Sequence, residues 1–420
     1  MSRRSLRPAA ERLSSQDAGY LRRETPTQPL HFSILMLVAP GPTGPVSLED
    51  VRRHVAARIG RMPWLRRRIT RAPGGVGPFF WVPDPAFTVE RHVSAATANA
   101  CAGDPDRLLR DVTAEMLPRD RPLWQLVVAD PLPDGRTPIA LAVHHALMDG
   151  GLFAETMRGL FGLADDDATA AETDLGRHPS GVELLAAAGL DRLRGQVRRH
   201  RRPPVARLAA APSRRDAPLA GTVTGGRVVA ARTLPLAELR ELRVRTGATI
   251  NDLYLAAATA GLRAAVVDRN LDAATLLALV PRDARREEES RTAGNRTWSM
   301  YVDLPVAVED PRRRLALIRE ATETGKRAPE SAGNADFRFD VALTNVPVGG
   351  PHRLGPSAVE ITALTLPLQG SNRIAAIALS QDDRFTVTWT ADAAGFPDLD
   401  RIADAAMAEF ARLTREARVP

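Results

Sequence analysis

Cysteine is all but missing from this 420-residue chain. Cys101 stands alone, which excludes an intrachain disulfide and any metal centre built on paired cysteines, and suits a reducing cytoplasm. Lysine is as scarce: of 57 basic residues only Lys326 is one, the rest being arginine. That bias matches codon usage in a GC-rich genome better than selection for phosphate binding. The basic residues are scattered, apart from "RLRGQVRRHRRPPVARL" at 192–208, and no basic-aromatic module accompanies them, so nucleic acid is not expected as a partner. A net charge of +7 still favours an anionic substrate or membrane surface. Long apolar runs are missing too. The longest, "FSILMLVAP" and "IALAVHHAL", fall well short of the roughly 18 residues a spanning helix needs, so membrane contact is expected to be peripheral. No apolar leader core appears in "MSRRSLRPAAERLSSQDAGYLRRE".

What is present is an ordinary globular composition, 44% hydrophobic and 25% charged, in a chain long enough for two core-bearing units. "HFSILMLVAP" reads as a buried strand closed by a turn, and Ser47 opens a helix with Leu48, Val51, Val55 and Ile59 at helical spacing. "FFWVPD", a helix over 104–117, and strands at "LWQLVVAD" and "TPIALAVHH" follow. The second half repeats the alternation: a strand at "GRVVAARTLP", helices at "LAELRELRVRTG" and "TINDLYLAAATAGLRAAVVD", five further strands, at "ATLLALVP" and near 298–304, 340–346, 373–379 and 384–390, and a final helix near 398–417. Such alternation argues an α/β layered fold. Between the halves, sequence rich in alanine, proline and charge is read as a surface crossover. The expected organisation is a lobe at 1–185, a linker at 186–220 and a lobe at 221–420.

The informative stretch is "LAVHHALMDGG". On a strand Ile139, Leu141, Val143 and His145 share one face while Ala140, Ala142 and His144 share the other, so the two histidines point opposite ways. A tight turn and a helix over "LFAETMRGLF" follow. Asp149 sits where an acid caps a helix, and Gly150 where positive φ or close backbone approach is needed. Adjacent strand positions diverge, and no HExxH-type spacing accompanies them, which argues against a metal site. A single imidazole at a strand end is suited to general-base work near neutral pH, although a lone strand histidine is more often core. The full HHxxxDG pattern, in a chain with only 8 histidines, favours chemistry. No GxSxG elbow competes, and Cys101 in "NACAG" has no histidine nearby in sequence.

HHxxxDG resembles the signature of the chloramphenicol-acetyltransferase-like superfamily, and the rest of the chain resembles the bacterial wax ester synthase/diacylglycerol acyltransferase family. Ser14, Asp17, Glu24, Thr25, Pro29 and His31 look like its N-terminal block. Trp81, Asp84, Phe87, His92 and Pro122-Leu123-Trp124 look like the blocks before the motif. "NDLYLAAATAGLR", "LVPRDARREE", "GNRTWSMYVDLP" and "TNVP" fall in the family's order. One departure is Val348-Gly349 after Thr344-Asn345-Val346-Pro347, where the family usually has Ser-Asn-Val-Pro and then Gly-Pro.

The resemblance implies two similar lobes, each a mixed sheet with helices, and a channel between them. It implies direct transfer from acyl-CoA, a substrate rather than a cofactor, to a hydroxyl acceptor such as a long-chain alcohol or diacylglycerol, without a covalent acyl-enzyme and without metal. A membrane or lipid-droplet surface is an implied peripheral partner. His145 would be the base, His144 a positioning residue, and Asp149 structural, beside Gly150 and paired with Arg66, or with Arg68 as the alternative. Asn251 either caps its helix or faces the channel; Asn295, Thr344 and Asn345 carry similar substrate-binding roles, and Arg285 would meet CoA phosphates. Two rivals remain: a natural-product or condensation-type enzyme of the superfamily with another acceptor, and a non-catalytic binding homologue.

Overall fold

In the computed structural model the described residues are 10–97, 103–163, 173–201, 217–283, 295, 297–327 and 338–416, with side chains of 194–201 left aside. The first half contains β1 (Glu11–Arg12), α1 (Ser15–Arg23), β2 (His31–Val38), α2 (Leu48–Ile59), β3 (Arg67–Ala72), β4 (Val76–Pro83), β5 (Val93–Ala95), α3 (Pro105–Ala114), β6 (Trp124–Val128), β7 (Thr137–His144), α4 (Gly150–Phe161) and α5 (Gly181–Arg201). The second contains β8 (Arg227–Pro235), α6 (Leu236–Thr246), α7 (Ile250–Asp268), β9 (Leu276–Asp283), β10 (Thr297–Leu304), α8 (Pro311–Arg327), β11 (Val341–Pro347), β12 (Arg353–Leu354), β13 (Ser357–Leu364), β14 (Ile374–Gln381), β15 (Arg384–Asp392) and α9 (Leu399–Glu416).

Two six-stranded sheets organise these elements, β12-β13-β2-β7-β6-β5 and β10-β9-β11-β14-β15-β8, with β1-β4-β3 as a small third. Both large sheets are mixed: β5–β6 in one and β9–β11–β14 in the other are parallel, and the remaining pairs antiparallel. Local chemistry accounts for most elements. Ser47 and Asp50 form a reciprocal capping box on α2, Thr249 and Asp252 another on α7, and Asp104 caps α3 just before Pro105.

Strand parity separates the layers. Ile139, Leu141 and Val143 of β7 enter the core shared with β2 and α4, whereas Ala140 and Ala142 pack under Leu108 and Leu109 of α3. In the second sheet Leu343, Ala376 and Ala378 face α7 and α9, while Val346, Ile377 and Leu379 join the first lobe's core.

Two features depart from the sequence reading. Residues 353–364, expected in the second lobe, complete the first sheet: β13 pairs antiparallel with β2. β13 is also held by the second sheet, Ile361 and Leu364 donating their N–H groups to Gln381 Oε1 and Thr388 Oγ1 at 2.8 and 3.2 Å. The expected linker, moreover, begins as helix: residues 186–201 continue α5, anchored by Leu184 and Ala188 against Phe80 and Val82. Residues 202–216 lie outside the described residues.

Candidate active site

β7 ends at His144, and its backbone run places His145 in the following turn, where the His145 N–H donates to the Leu30 carbonyl at 2.9 Å. Asp149 closes the turn. Its Oδ1 accepts the Leu152 N–H at 3.0 Å, which caps α4, and its residue surface is 1% exposed. Gly150 is required by proximity rather than by φ: a Cβ there would lie 2.8 Å from Val346 Cγ2, so glycine lets β11 of the second lobe close onto the start of α4.

His145 is half-buried between aromatic rings and an amide. Tyr20 of α1 stacks on it with centroids 4.4 Å apart and planes 11° from parallel, and Phe32 of β2 meets it edge-on at 6.0 Å. Asn295 supplies the polar contact. Its Nδ2 donates to Asp17 Oδ1 at 2.7 Å and to the His145 carbonyl at 2.6 Å. Both partners are pure acceptors, so the amide nitrogen must face them and Oδ1 must be the atom 3.1 Å from His145 Nδ1. The acceptor Oδ1 places the ring proton on Nδ1 and leaves the Nε2 lone pair available, the tautomer a general base needs. Asp17 is itself fixed, taking the Asn295 N–H on Oδ1 and the Ser14 hydroxyl on Oδ2. Burial pushes the His145 pKa below the ordinary 6.5, keeping the imidazole neutral at neutral pH. Burial likewise raises the Tyr20 phenol to about 12, so the stacked ring stays uncharged.

His144 faces the other way. Its Nδ1 accepts the Ala146 N–H at 3.0 Å, which puts the ring proton on Nε2, 3.3 Å from Glu24 Oε1. Glu24 also accepts the Leu30 N–H at 3.0 Å, and its Oε2 takes Arg119 Nη2 at 2.8 Å. Burial alone would raise the Glu24 pKa, but His144, Arg119 and the Leu30 amide outweigh it and hold the carboxyl at about 2. A carboxylate depressed from 4.5 to about 2 contributes about 3 kcal/mol of stability. That stability is complete above pH 4.5 and lost as the pH falls toward 2. Urea unfolding of wild type at about pH 5 and about pH 3 is expected to show a steeper loss than Glu24→Gln shows; equal slopes would remove Glu24 from the account.

The sequence profile of the wax ester synthase/diacylglycerol acyltransferase catalytic domain matches residues 13–254, more than half of the chain and all of the elements that surround His145 in the first lobe. The chain belongs to the wax ester synthase/diacylglycerol acyltransferase family. A Mycobacterium tuberculosis protein assigned as a diacylglycerol O-acyltransferase is 30% identical over 355 residues, 75% of this chain and 68% of that protein. A second from the same organism is 25% identical over 461 residues, covering 97% and 96%. Among solved structures, the wax ester synthase/diacylglycerol acyltransferase from Marinobacter aquaeolei VT8 superposes with a TM-score of 0.67 at 21% identity, covering 97% of this chain and all of that one. The first condensation domain of the CDA synthetase gives 0.64 at 17%, covering 98% and 97%. The two-lobed chloramphenicol-acetyltransferase-like architecture expected from the motif is the fold found.

This wax ester synthase/diacylglycerol acyltransferase family member places the other expected residues unevenly. Asn295 is brought to His145, its Oδ1 3.1 Å from Nδ1. Asn251 does not cap α7, because Thr249 does; it lies half-buried at the second helical position. Thr344 shares with Val346 the face of β11 turned toward the first lobe, whereas Asn345, paired with Ala378, shares the opposite face with Leu343. Arg285 lies outside the described residues. Arg68 is directed to His178 at 3.2 Å and Asp84 at 4.0 Å. Arg66 ends a 3-10 turn, Pro63–Arg66, that lies against α4 through Trp64 Nε1–H and Thr156 Oγ1, and that receives Trp124 Nε1–H on the Leu65 carbonyl. Among the described residues, no group of three or more His, Cys, Asp or Glu side chains converges as metal ligands would.

Asp17 and Glu24, placed in the family-like N-terminal block without a role, and Tyr20, not singled out at all, are the site residues whose part motif reading missed. Their spacing of three and four along α1 and its end puts them on one helical face. A polar and aromatic stripe in "SSQDAGYLRRE", directly before a buried strand, was the available signal.

Proposed function

We propose that this acyltransferase moves an acyl group from acyl-CoA to a hydroxyl acceptor, a long-chain alcohol or diacylglycerol, in a ternary complex with His145 as general base. Nε2 accepts the hydroxyl proton as the oxygen attacks the thioester carbonyl. The C–S bond then breaks, and the departing CoA sulfur takes the proton back from Nε2. Asp17 and Asn295 hold the imidazole in the tautomer with a free Nε2, Tyr20 fixes its plane, and His144 is a positioning residue tied to Glu24. Asp149, paired with Arg66, holds the turn.

The observation that carries this reading is the Asn295 contact, since an amide committed to two acceptors leaves His145 only one useful tautomer. Acyl-CoA as donor is supported by the family and by a starter condensation domain of the same fold described in complex with C8-CoA. The decisive assay follows free CoA release against long-chain alcohols, diacylglycerol and amines. Release dependent on alcohol or diacylglycerol is expected, and release with amines alone would overturn the hydroxyl acceptor.

Two expectations test the histidine. Asn295→Leu frees the ring to take either tautomer and should lower kcat about 10²-fold with KM nearly unchanged; a loss confined to KM would return Asn295 to substrate binding. Because burial lowers the His145 pKa, the acid limb of kcat/KM should lie below pH 6.5, with activity retained where a free imidazole would be half protonated. A limb above 6.5 would contradict a buried neutral base.

A further inference from the structure

The end of α1, strands β3 and β4 and the segment between α3 and β6 enclose a cleft of about 190 Å³ on the first lobe. Its floor is apolar. Leu21 and Leu123 line it while only 4 and 1% exposed, and Ile69 and Phe79 add further apolar surface. The charged residues of the lining are Arg71 and Arg119, and no acid accompanies them.

Both guanidinium groups are held in place with donors to spare. Arg71 Nη2 donates to the Gly77 carbonyl at 3.0 Å, and the group lies over the Phe79 ring, 5.1 Å from its centroid. Arg119 commits Nη2 alone, to the Leu21 carbonyl at 3.0 Å and to Glu24 Oε2 at 2.8 Å. Exposed arginines are common in this chain, but the neighbours of Arg71 on β3 have their counter-charges: Arg67 donates to Glu11 at 2.7 Å, and Arg68 lies 4.0 Å from Asp84. Among the described residues Arg71 has none. It supplies an uncompensated charge, and Arg119 supplies free N–H groups.

We propose that this cleft binds a small monocarboxylate, its aryl ring or short alkyl body against Leu21, Leu123 and Phe79 and its carboxylate between Arg71 and Arg119. An apolar cavity with a few convergent polar groups is the form that ligand sites take. A cavity of about 150 Å³ already holds a benzene ring, and a carboxylate matches the guanidinium fork with charge-assisted hydrogen bonds. A bare inorganic anion would leave the apolar floor in water, and a neutral apolar molecule would leave Arg71 without a counter-charge. The cleft shares no residue with the Tyr20, Phe32 and Asn295 contacts of His145. It adjoins the His144 network instead, through Arg119 on Glu24 and through the Leu123 carbonyl, which accepts the His144 N–H at 3.0 Å. The proposal does not depend on which acceptor the enzyme uses.

Isothermal titration of the full chain with 3-phenylpropanoate, with its amide and with acetate tests it. The aryl carboxylate should bind, the amide about tenfold more weakly, and acetate not measurably. Arg71→Met keeps the side-chain length and loses the charge, so it should weaken 3-phenylpropanoate about tenfold while circular dichroism and ligand-free CoA release stay unchanged. Arg71→Lys should retain more of the binding than Arg71→Met. Saturating acyl-CoA should leave the affinity as it is, because the cleft lies outside the reaction site. No binding, equal binding of acid and amide, undiminished binding by Arg71→Met, equal losses in the two Arg71 variants, or displacement by acyl-CoA would each overturn the proposal.

Discussion

His145→Ala is expected to lower turnover about 10²- to 10⁴-fold, the usual contribution of a positioned base, without moving the unfolding transition far. His145 sits in a turn and is half-buried, and its removal leaves Asp17 and Asn295 still bonded to each other. The companion variant His144→Ala should behave differently. His144 is 1% exposed and faces Glu24, so its loss acts on stability first and on turnover through the displaced β7 end. Urea unfolding and CoA release, measured on both variants, separate the roles. A dead His144→Ala beside an active His145→Ala would reverse them, and full activity in both would end histidine catalysis for this chain.

Asp149→Ala carries the largest expected loss of stability. The carboxylate is buried and caps α4 through Leu152, and loss of a cap alone costs about 1 kcal/mol. With the proposed Arg66 pairing, truncation also leaves a half-buried guanidinium, which donates to the Gly60 and Thr173 carbonyls, without its counter-charge, and the cost rises to about 3 to 5 kcal/mol. Asp149→Asn keeps a capping oxygen while removing the charge, so the gap between the alanine and asparagine variants divides the two contributions. A cost near 1 kcal/mol for Asp149→Ala, matching loss of the cap alone, would sink the pairing with Arg66. Activity should follow the folded fraction, because the Asp149 carboxylate is 1% exposed and committed to capping α4. An activity loss at full folding would make it a participant.

How much of this was legible beforehand depends on distance along the chain. Strand parity expects His144 and His145 on opposite faces, although β7 ends at His144 and it is the turn that aims His145; the position of Asp149 before an apolar helical run marks it as a cap. Those are interactions within a few residues, where backbone geometry dictates who can meet. The general alternation of strands and helices was readable for the same reason, although α1 and α8, whose apolar stripes are interrupted by charge, were not picked out.

The tertiary structure decided the rest. Asn295 reaches His145 across 150 positions of sequence, Asp17 reaches Asn295 across 278, and β13 leaves its own half of the chain to pair with β2. Register on β11 separates Thr344 from Asn345 by side of sheet, a distinction that requires knowing which face the first lobe covers. Gly150 matters because Val346 comes to rest 2.8 Å from where its Cβ would be. Periodicity specifies which side of an element is apolar, but it carries no information about which other element will cover it. The partner amide, the shared strand and the close approach between lobes are set by that choice, and it is made only when both cores pack.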